Sequence, residues 1–188
     1  MSHKNTHITL ITPRLNLREY VETDFAGVHV YSQDPETVRF MTWGPNTPED
    51  THTFIDLAIS QQAEVPRLNY HFVVTLRENK QIIGGCGIHL RRPEHQGAEI
   101  GYCFGKHFWG QGFATEAAAA LLKFGFEQLN LHRIIATCDP RNRGSERVMQ
   151  KNGMRKEAHF IQELWQKGEW RDSLLYAILE NEWCEISL

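Results

Sequence analysis

No run of apolar residues approaches the roughly 20 that a membrane-spanning helix needs, so the chain is not expected to cross a bilayer. Charge of neither sign dominates: 20 Lys and Arg face 23 Asp and Glu, a formal net charge of −3. That balance gives no electrostatic case for nucleic-acid binding. Cysteine is sparse and scattered (Cys86, Cys103, Cys138, Cys184), with no Cys-x-x-Cys pair. Reduced thiols in a cytoplasmic protein are the expectation. The segment Met1–His7 has no apolar h-region, so it does not read as a secretory signal, and it is expected to be flexible. There is no internal repeat, no low-complexity linker and no Gly-x-x-x-x-Gly-Lys-Ser/Thr phosphate loop. The ten histidines form no His-Glu-x-x-His and no convergent set with cysteine. They are expected to be exposed or hydrogen-bonded, with no metal bound.

What is present is an ordinary globular composition, 41% hydrophobic and 23% charged over 188 residues, enough for a single domain spanning 1–188. Ile8 to Val21 alternates in part and reads as a first strand, with Pro13 near its start. Thr23 or Asp24 opens a short helix to about Ser32, and Pro35 to Met41 reads as a further helical turn. Thr47-Pro48-Glu49-Asp50 is a strong helix start: a capping threonine, proline at the first helical position and an acid two residues later. That helix should run to about Ala63, with Phe54, Ile55, Ala58 and Ile59 on its apolar face. Tyr70–Leu76 and Gln81–Leu90 read as a hairpin, Arg91–Gln96 as a polar loop and Gly97–Phe104 as the next strand. A long helix follows at Thr115–Leu129, a buried strand at Arg133–Cys138 and a helix at Arg143–Asn152 that Gly153 stops. Arg155–Trp165 and Trp170–Glu180 form a closing hairpin. The expected class is α/β (α+β), a single mixed, mostly antiparallel sheet of six or seven strands flanked by about four helices.

The run Trp109-Gly110-Gln111-Gly112-Phe113-Ala114-Thr115-Glu116-Ala117 lies between the strand ending at Phe104 and the long helix. Strand, small-residue turn and helix in that order bring backbone close to a ligand and aim unpaired N–H groups and a positive dipole end at it. Such a turn holds phosphate or pyrophosphate. A tight turn without a ligand is the alternative.

With this motif in hand, the chain resembles the GCN5-related N-acetyltransferases (GNAT), and within them the branch of bacterial ribosomal-protein N-terminal acetyltransferases. Thr12-Pro13-Arg14-Leu15-Asn16-Leu17-Arg18 is similar to that branch's first strand, Glu99-Ile100-Gly101-Tyr102 to its fourth, and Trp109–Ala117 to its acyl-CoA loop. Asn142-x-x-Ser145 with Gly153-Met154 is similar to the segment after the fifth strand, and Asp172 with Tyr176-Ala177-Ile178-Leu179 to the closing strand. One departure is Trp109, which stands where the superfamily usually has Gln or Arg. The resemblance implies acetyl-CoA as co-substrate, no metal, an amine acceptor and a homodimer.

The resemblance also implies roles for residues. The pyrophosphate would sit over the N–H groups of Gln111, Gly112, Phe113, Ala114 and Thr115, with Gly110 and Gly112 allowing the approach and Trp109 opening the cofactor-binding turn, and the pantetheine amides on the backbone of Tyr102, Cys103 and Phe104. Asn142 would touch the cofactor arm, with an Asx turn after Asp139-Pro140 as its alternative. Arg143, Arg147 and Lys151 share a helix face and read as solvated charge rather than a phosphate site. Ser145 would serve the leaving thiolate. The amine must lose a proton, and a carboxylate can take it directly or through water. Glu99, at the start of the strand expected to hold the thioester, is the first candidate base, and Glu163 the second. A backbone N–H on the Gly97–Phe104 strand would hold the oxyanion. Cys103 has no adjacent histidine pattern, so direct transfer is expected rather than an acyl-cysteine. Trp43, Trp165, Trp170 and Phe160 either line a groove or fill the core. The acceptor is a protein N-terminal α-amine or a small-molecule amine of antibiotic or polyamine type, and a non-catalytic acyl-CoA sensor is the competing class.

Overall fold

A computed structural model describes residues 7–186. Residues 1–6, which carry most of the expected flexible segment, and residues 187–188 lie outside it. The strands are β1 (Thr9–Ile11), β2 (Leu15–Glu19), β3 (Asn69–Leu76), β4 (Ile82–Arg92), β5 (Gly97–Phe104), β6 (Arg133–Cys138), β7 (Arg155–Gln166) and β8 (Glu169–Leu179). The helices are α1 (Phe25–Ser32), α2 (Pro48–Ser60), α3 (Phe113–Glu127), α4 (Arg143–Lys151) and α5 (Glu180–Ile186). The eight strands make one sheet in the order β1-β2-β3-β4-β5-β6-β8-β7. Among the described residues every pairing is antiparallel except β5 with β6, which the crossover through α3 makes parallel.

The local signals act as expected in most places. Thr47 Oγ1 accepts from the Asp50 N–H at 3.2 Å while Asp50 Oδ2 accepts from the Thr47 N–H at 2.9 Å, a reciprocal cap on α2. Ile55 and Ala58 of that helix are buried, with Phe54 and Ile59 against them. Gly153 has φ +73° directly after α4, a conformation that glycine adopts without steric cost.

Two expectations change. The segment Ile8–Val21 is two strands rather than one, because Pro13 interrupts the run and the Thr12 N–H turns back to Leu15 O at 3.0 Å. The sheet therefore has eight strands, one more than the upper expectation. The chain after β8 turns into a fifth helix at Glu180, where Glu182 Oε2 accepts from the Leu179 N–H at 2.7 Å. Pro35–Met41 makes turns of helical type, with the Val38 N–H on Asp34 O at 3.1 Å and the Met41 N–H on Val38 O at 2.9 Å.

Each face of the sheet carries its own core. Strand alternation sends Leu17, Phe72, Ile88, Ile100, Ile134 and Ile178 to the face covered by α3 and α4. Val73 and Cys103 point to the other face, under Tyr20, Val28, Tyr31, Ile55 and Ala58 from the α1–α2 side. Cys86, Cys103 and Cys138 are free thiols. No helix among the described residues is long and apolar enough to cross a membrane.

Candidate active site

The parallel ladder between β5 and β6 is short. It runs from Gly97–Arg133 to Glu99–Ile135 and stops, although β5 continues to Phe104 and β6 to Cys138. Over those last residues β5 stays paired to β4 and β6 to β8, so the facing edges diverge in the middle of the sheet. Backbone N–H and C=O groups there need partners. An extended chain bearing amides, laid in the fork, would supply them as an added strand does. Gly101, on β5 beyond the fork, is exposed, and a Cβ built there would meet nothing within 4 Å.

The glycine turn lies at the open end of the fork. Gly110 (φ +75°) and Gly112 (φ +82°) are left-handed, and α3 begins at Phe113, two residues earlier than expected. The earlier start follows from Gly112 acting as the cap: its carbonyl accepts from the Glu116 N–H at 3.0 Å. The N–H groups of Phe113, Ala114 and Thr115 are left at the helix end without an intrahelical acceptor. Trp109, Gly110, Gln111 and Gly112 are exposed, whereas the Phe113 side chain is buried beside Phe108, so only its backbone can reach a ligand. The Trp109 indole donates to Phe104 O at 2.6 Å and fastens the turn to the end of β5. The Phe104 carbonyl oxygen keeps a second lone pair, so it stays among the groups a pantetheine could use. A groove of about 720 Å³ leads from Gly112 and Thr115 along α3 to Lys151, Asn152 and Trp183. Lys151 therefore borders the groove, whereas Arg143 is paired with Glu146 at 2.8 Å.

Tyr102 and Ser145 meet on the α3–α4 side. Asn142 Oδ1 caps α4 by accepting from the Ser145 N–H at 3.2 Å, which is the Asx-type role. The cap leaves the Asn142 amide nitrogen as its donor group. It also fixes Ser145, whose Oγ is 3.1 Å from Tyr102 Oη. Cys138 lies beside the pair at the end of β6. Burial pushes the Tyr102 hydroxyl well above its ordinary pKa, against a smaller opposing effect of its bond to Ser145. Burial, with the Glu146 and Asp139 charges, pushes the Cys138 thiol up to about 11. All three groups keep their protons at neutral pH.

Glu99 lies on the opposite face, because it is three residues from Tyr102 along one strand. It sits where the ladder ends. Its Oε1 accepts from Thr137 Oγ1 and its Oε2 from Arg91 Nε, each at 3.2 Å. His89 is its cross-strand neighbour, and the His89 ring is 4.9 Å from that of His71. Each imidazole has one side-chain partner, His71 Nε2 with Gln61 Oε1 (3.0 Å) and His89 Nδ1 with Asn69 Oδ1 (3.0 Å). Burial, with His89 and Arg67 nearby, lowers His71 to about 4; burial and Arg91 also lower His89. This histidine pair was not singled out from the sequence. Odd-numbered alternation on β3, β4 and β5 was the signal that could have placed it beside Glu99.

Glu163 is elsewhere. It is exposed, in the register break of β7 between Phe160 and Leu164. By strand spacing and rise it stands about 20 Å from Glu99 across β6 and β8, so the two candidate bases do not converge. Cys103 is buried in the α1–α2 core and burial pushes its thiol up to about 12. A thiol held protonated in that way is a poor nucleophile. Trp165 and Trp170 pack edge to face at 5.5 Å but are 63% and 55% exposed, and Trp43 and Phe160 are exposed as well. None of the four is core.

Residues 14–155 match the family described as the acetyltransferase (GNAT) domain. An uncharacterized N-acetyltransferase of Bacillus subtilis, YnaD, is 40% identical over 177 residues, covering 94% of this chain and 99% of that protein. The [ribosomal protein uS5]-alanine N-acetyltransferase of Escherichia coli is 28% identical over 115 residues, 61% of this chain and 59% of that one. Among solved structures, a GNAT-family acetyltransferase from Bacillus anthracis superposes with a TM-score of 0.82 at 37% identity, covering 93% of this chain and 99% of that one.

Proposed function

This chain belongs to the GNAT acetyltransferases, and from that premise we propose that it acetylates the N-terminal α-amine of a protein by direct attack on acetyl-CoA in a ternary complex. That it is an acetyl-CoA-dependent N-acetyltransferase follows from the family. The observation that carries the mechanism is the opposed placement of Glu99 and Tyr102–Ser145 on either side of the fork between β5 and β6.

In this reading the pyrophosphate lies on the N–H groups of Gln111 to Thr115, and the pantetheine lies along Tyr102 and Cys103 in the fork. Asn142 donates its amide to the cofactor arm. The thioester then sits over Gly101, where there is no side chain to displace it. The amine arrives from the α1–α2 face, beside Glu99. Its nitrogen attacks the carbonyl carbon, the C–S bond breaks, and the proton lost by the amine passes to Glu99 directly or through water. The thiolate leaves toward Ser145, which gives it a proton or a hydrogen bond; a proton so given is replaced through Tyr102 from solvent, and the one taken by Glu99 is lost to solvent. The tetrahedral oxyanion is held by a β5 backbone N–H. An α-amine, with a reference pKa near ~8 against ~10.4 for lysine, needs the weaker base.

Support for a protein terminus comes from the E. coli relative, whose acceptor is a ribosomal-protein alanine. A homodimer is carried over from the family resemblance, and sedimentation velocity at monomer size would reject it. The acceptor is tested by turnover with acetyl-CoA across N-terminal peptides, polyamines and aminoglycosides, with the modified nitrogen located by mass spectrometry. Acetylation at a peptide α-amine is expected. Turnover confined to polyamines or aminoglycosides overturns the acceptor, and tight acetyl-CoA binding with no turnover on any amine points to a sensor.

A further inference from the structure

The turn Thr12-Pro13-Arg14 between β1 and β2 lies far from Glu116 in sequence, yet it holds that residue through three hydrogen bonds. Glu116 Oε1 accepts from Thr12 Oγ1 at 2.6 Å and from the Arg14 N–H at 2.8 Å; Oε2 accepts from Arg14 Nε at 2.7 Å. The same guanidinium donates through Nη1 to Gln111 O at 2.9 Å and lies 4.5 Å over the Phe113 ring. Its remaining nitrogen, Nη2, is 3.3 Å from where a Cβ on Gly112 would stand.

Two consequences follow for the glycine turn. Glu116 is in the first turn of α3, where its charge competes with a bound anion for the positive helix end. With its side chain only 14% exposed, water screens it little. Arg14 cancels that charge. Desolvation opposes ionisation of Glu116, but the bonds from Thr12 and Arg14 together outweigh it and hold the carboxyl below its ordinary pKa. The second consequence is directional. The C=O of residue 111 and the N–H of residue 112 share one trans peptide and point opposite ways. Drawing Gln111 O toward Arg14 therefore turns the Gly112 N–H away from Arg14, toward the open side of the turn.

We infer that Arg14 is a positioning residue for the cofactor: it neutralises Glu116 and ties back the Gln111 carbonyl, so that the turn presents only donors to the pyrophosphate. This rests on acetyl-CoA binding at Gln111–Thr115. The test is calorimetric titration of acetyl-CoA into wild type, Arg14→Ala, and Arg14→Ala with Glu116→Gln, alongside steady-state kinetics and thermal melts. Arg14→Ala should weaken acetyl-CoA about tenfold, with the loss falling on KM rather than kcat. Removing the orphaned carboxylate in the double variant should return most of that loss, an outcome that mere loosening of the fold would not produce. If Arg14→Ala melts too low to titrate, Arg14→Gln makes the same comparison with the side-chain bulk kept. Wild-type binding with unchanged affinity in the Arg14 variant overturns the clamp alone. A double variant as weak as the single one also overturns it. A wild type that binds no acetyl-CoA overturns the site and the clamp with it.

Discussion

The Tyr102 hydroxyl stands 3.1 Å from Ser145 Oγ and 3.2 Å from the Ser145 carbonyl oxygen, joining the middle of β5 to the first turn of α4 across the fork. Neither residue can be replaced without disturbing the other's proton. On the proposed mechanism Ser145 is the nearer donor and Tyr102 its reserve. Ser145→Ala should therefore lower kcat more than it raises KM for acetyl-CoA, by about 10²-fold or less, because Tyr102 remains. Tyr102→Phe in the Ser145→Ala background should cost more than the two single losses combined. Single-turnover rates decide it: a full-speed Ser145→Ala enzyme removes the serine from the chemistry.

Gly112 has φ +82°, where a side chain is strained, and its nearest neighbour is the Arg14 guanidinium. Gly112→Val places a β-branched residue in that conformation, at a cost of about 1–3 kcal/mol, and puts methyl groups where the pyrophosphate would lie. The variant should lose acetyl-CoA binding while remaining folded. Unchanged affinity by calorimetry, with an intact circular dichroism spectrum, would move the cofactor elsewhere.

Much of this arrangement is readable in the residues. The strands Gly97–Phe104 and Arg133–Cys138 have the bounds the sequence predicts, because each is a largely apolar run set off by glycine, histidine or aspartate-proline. The Asn142 cap and the Gly153 stop follow from local chemistry alone. What is not readable is long-range. The ladder between β5 and β6 ends at Glu99 while β6 stays paired along its whole length to β8, whose residues lie some 40 positions downstream of β6. The Arg14–Glu116 clamp joins positions 102 apart. Pro13 marks a strand start in the sequence, but only the hydrogen bond from the Thr12 N–H to Leu15 O shows that the run divides into two strands there. The opposed faces of Glu99 and Tyr102 were legible, since strand parity alone separates them.

Stability should fall in mild acid. His71 titrates at about 4 in the folded chain against about 6.5 unfolded, because burial, His89 and Arg67 disfavour its charged form. Between those values the unfolded state binds the extra proton, so folding weakens as pH drops from about 6.5 and the full loss is reached below about 4. The shift corresponds to roughly 3 kcal/mol, and His89 moves in the same direction. Urea unfolding from pH 7 to pH 4 should show a shallower acid slope in His71→Gln than in wild type. Parallel slopes would mean that His71 opens to solvent before the protein unfolds.

The last prediction concerns Glu99. Thr137 and Arg91 each hold one of its oxygens at 3.2 Å, at the fork and on the face opposite Tyr102. If Glu99 takes the proton of the amine, Glu99→Gln should bind acetyl-CoA normally, since Gln keeps the shape, an acceptor oxygen for Arg91 and an amide that can donate to the Thr137 hydroxyl. Rate should fall, and it should fall further for lysine-like amines than for α-amines, because the former are more fully protonated at neutral pH. The acidic limb of the pH–rate profile should also move. His89, the cross-strand neighbour kept neutral by its surroundings, is then the next group within reach, and a residual limb in Glu99→Gln that disappears in the double variant with His89→Gln would assign it. A Glu99→Gln enzyme with wild-type rate and profile makes the carboxylate structural. Glu163 would be substituted next, although its place on the β7 edge gives it no direct line to the same amine. If neither change matters, the amine reaches the site already neutral, and rate comes from holding it in line with the carbonyl carbon.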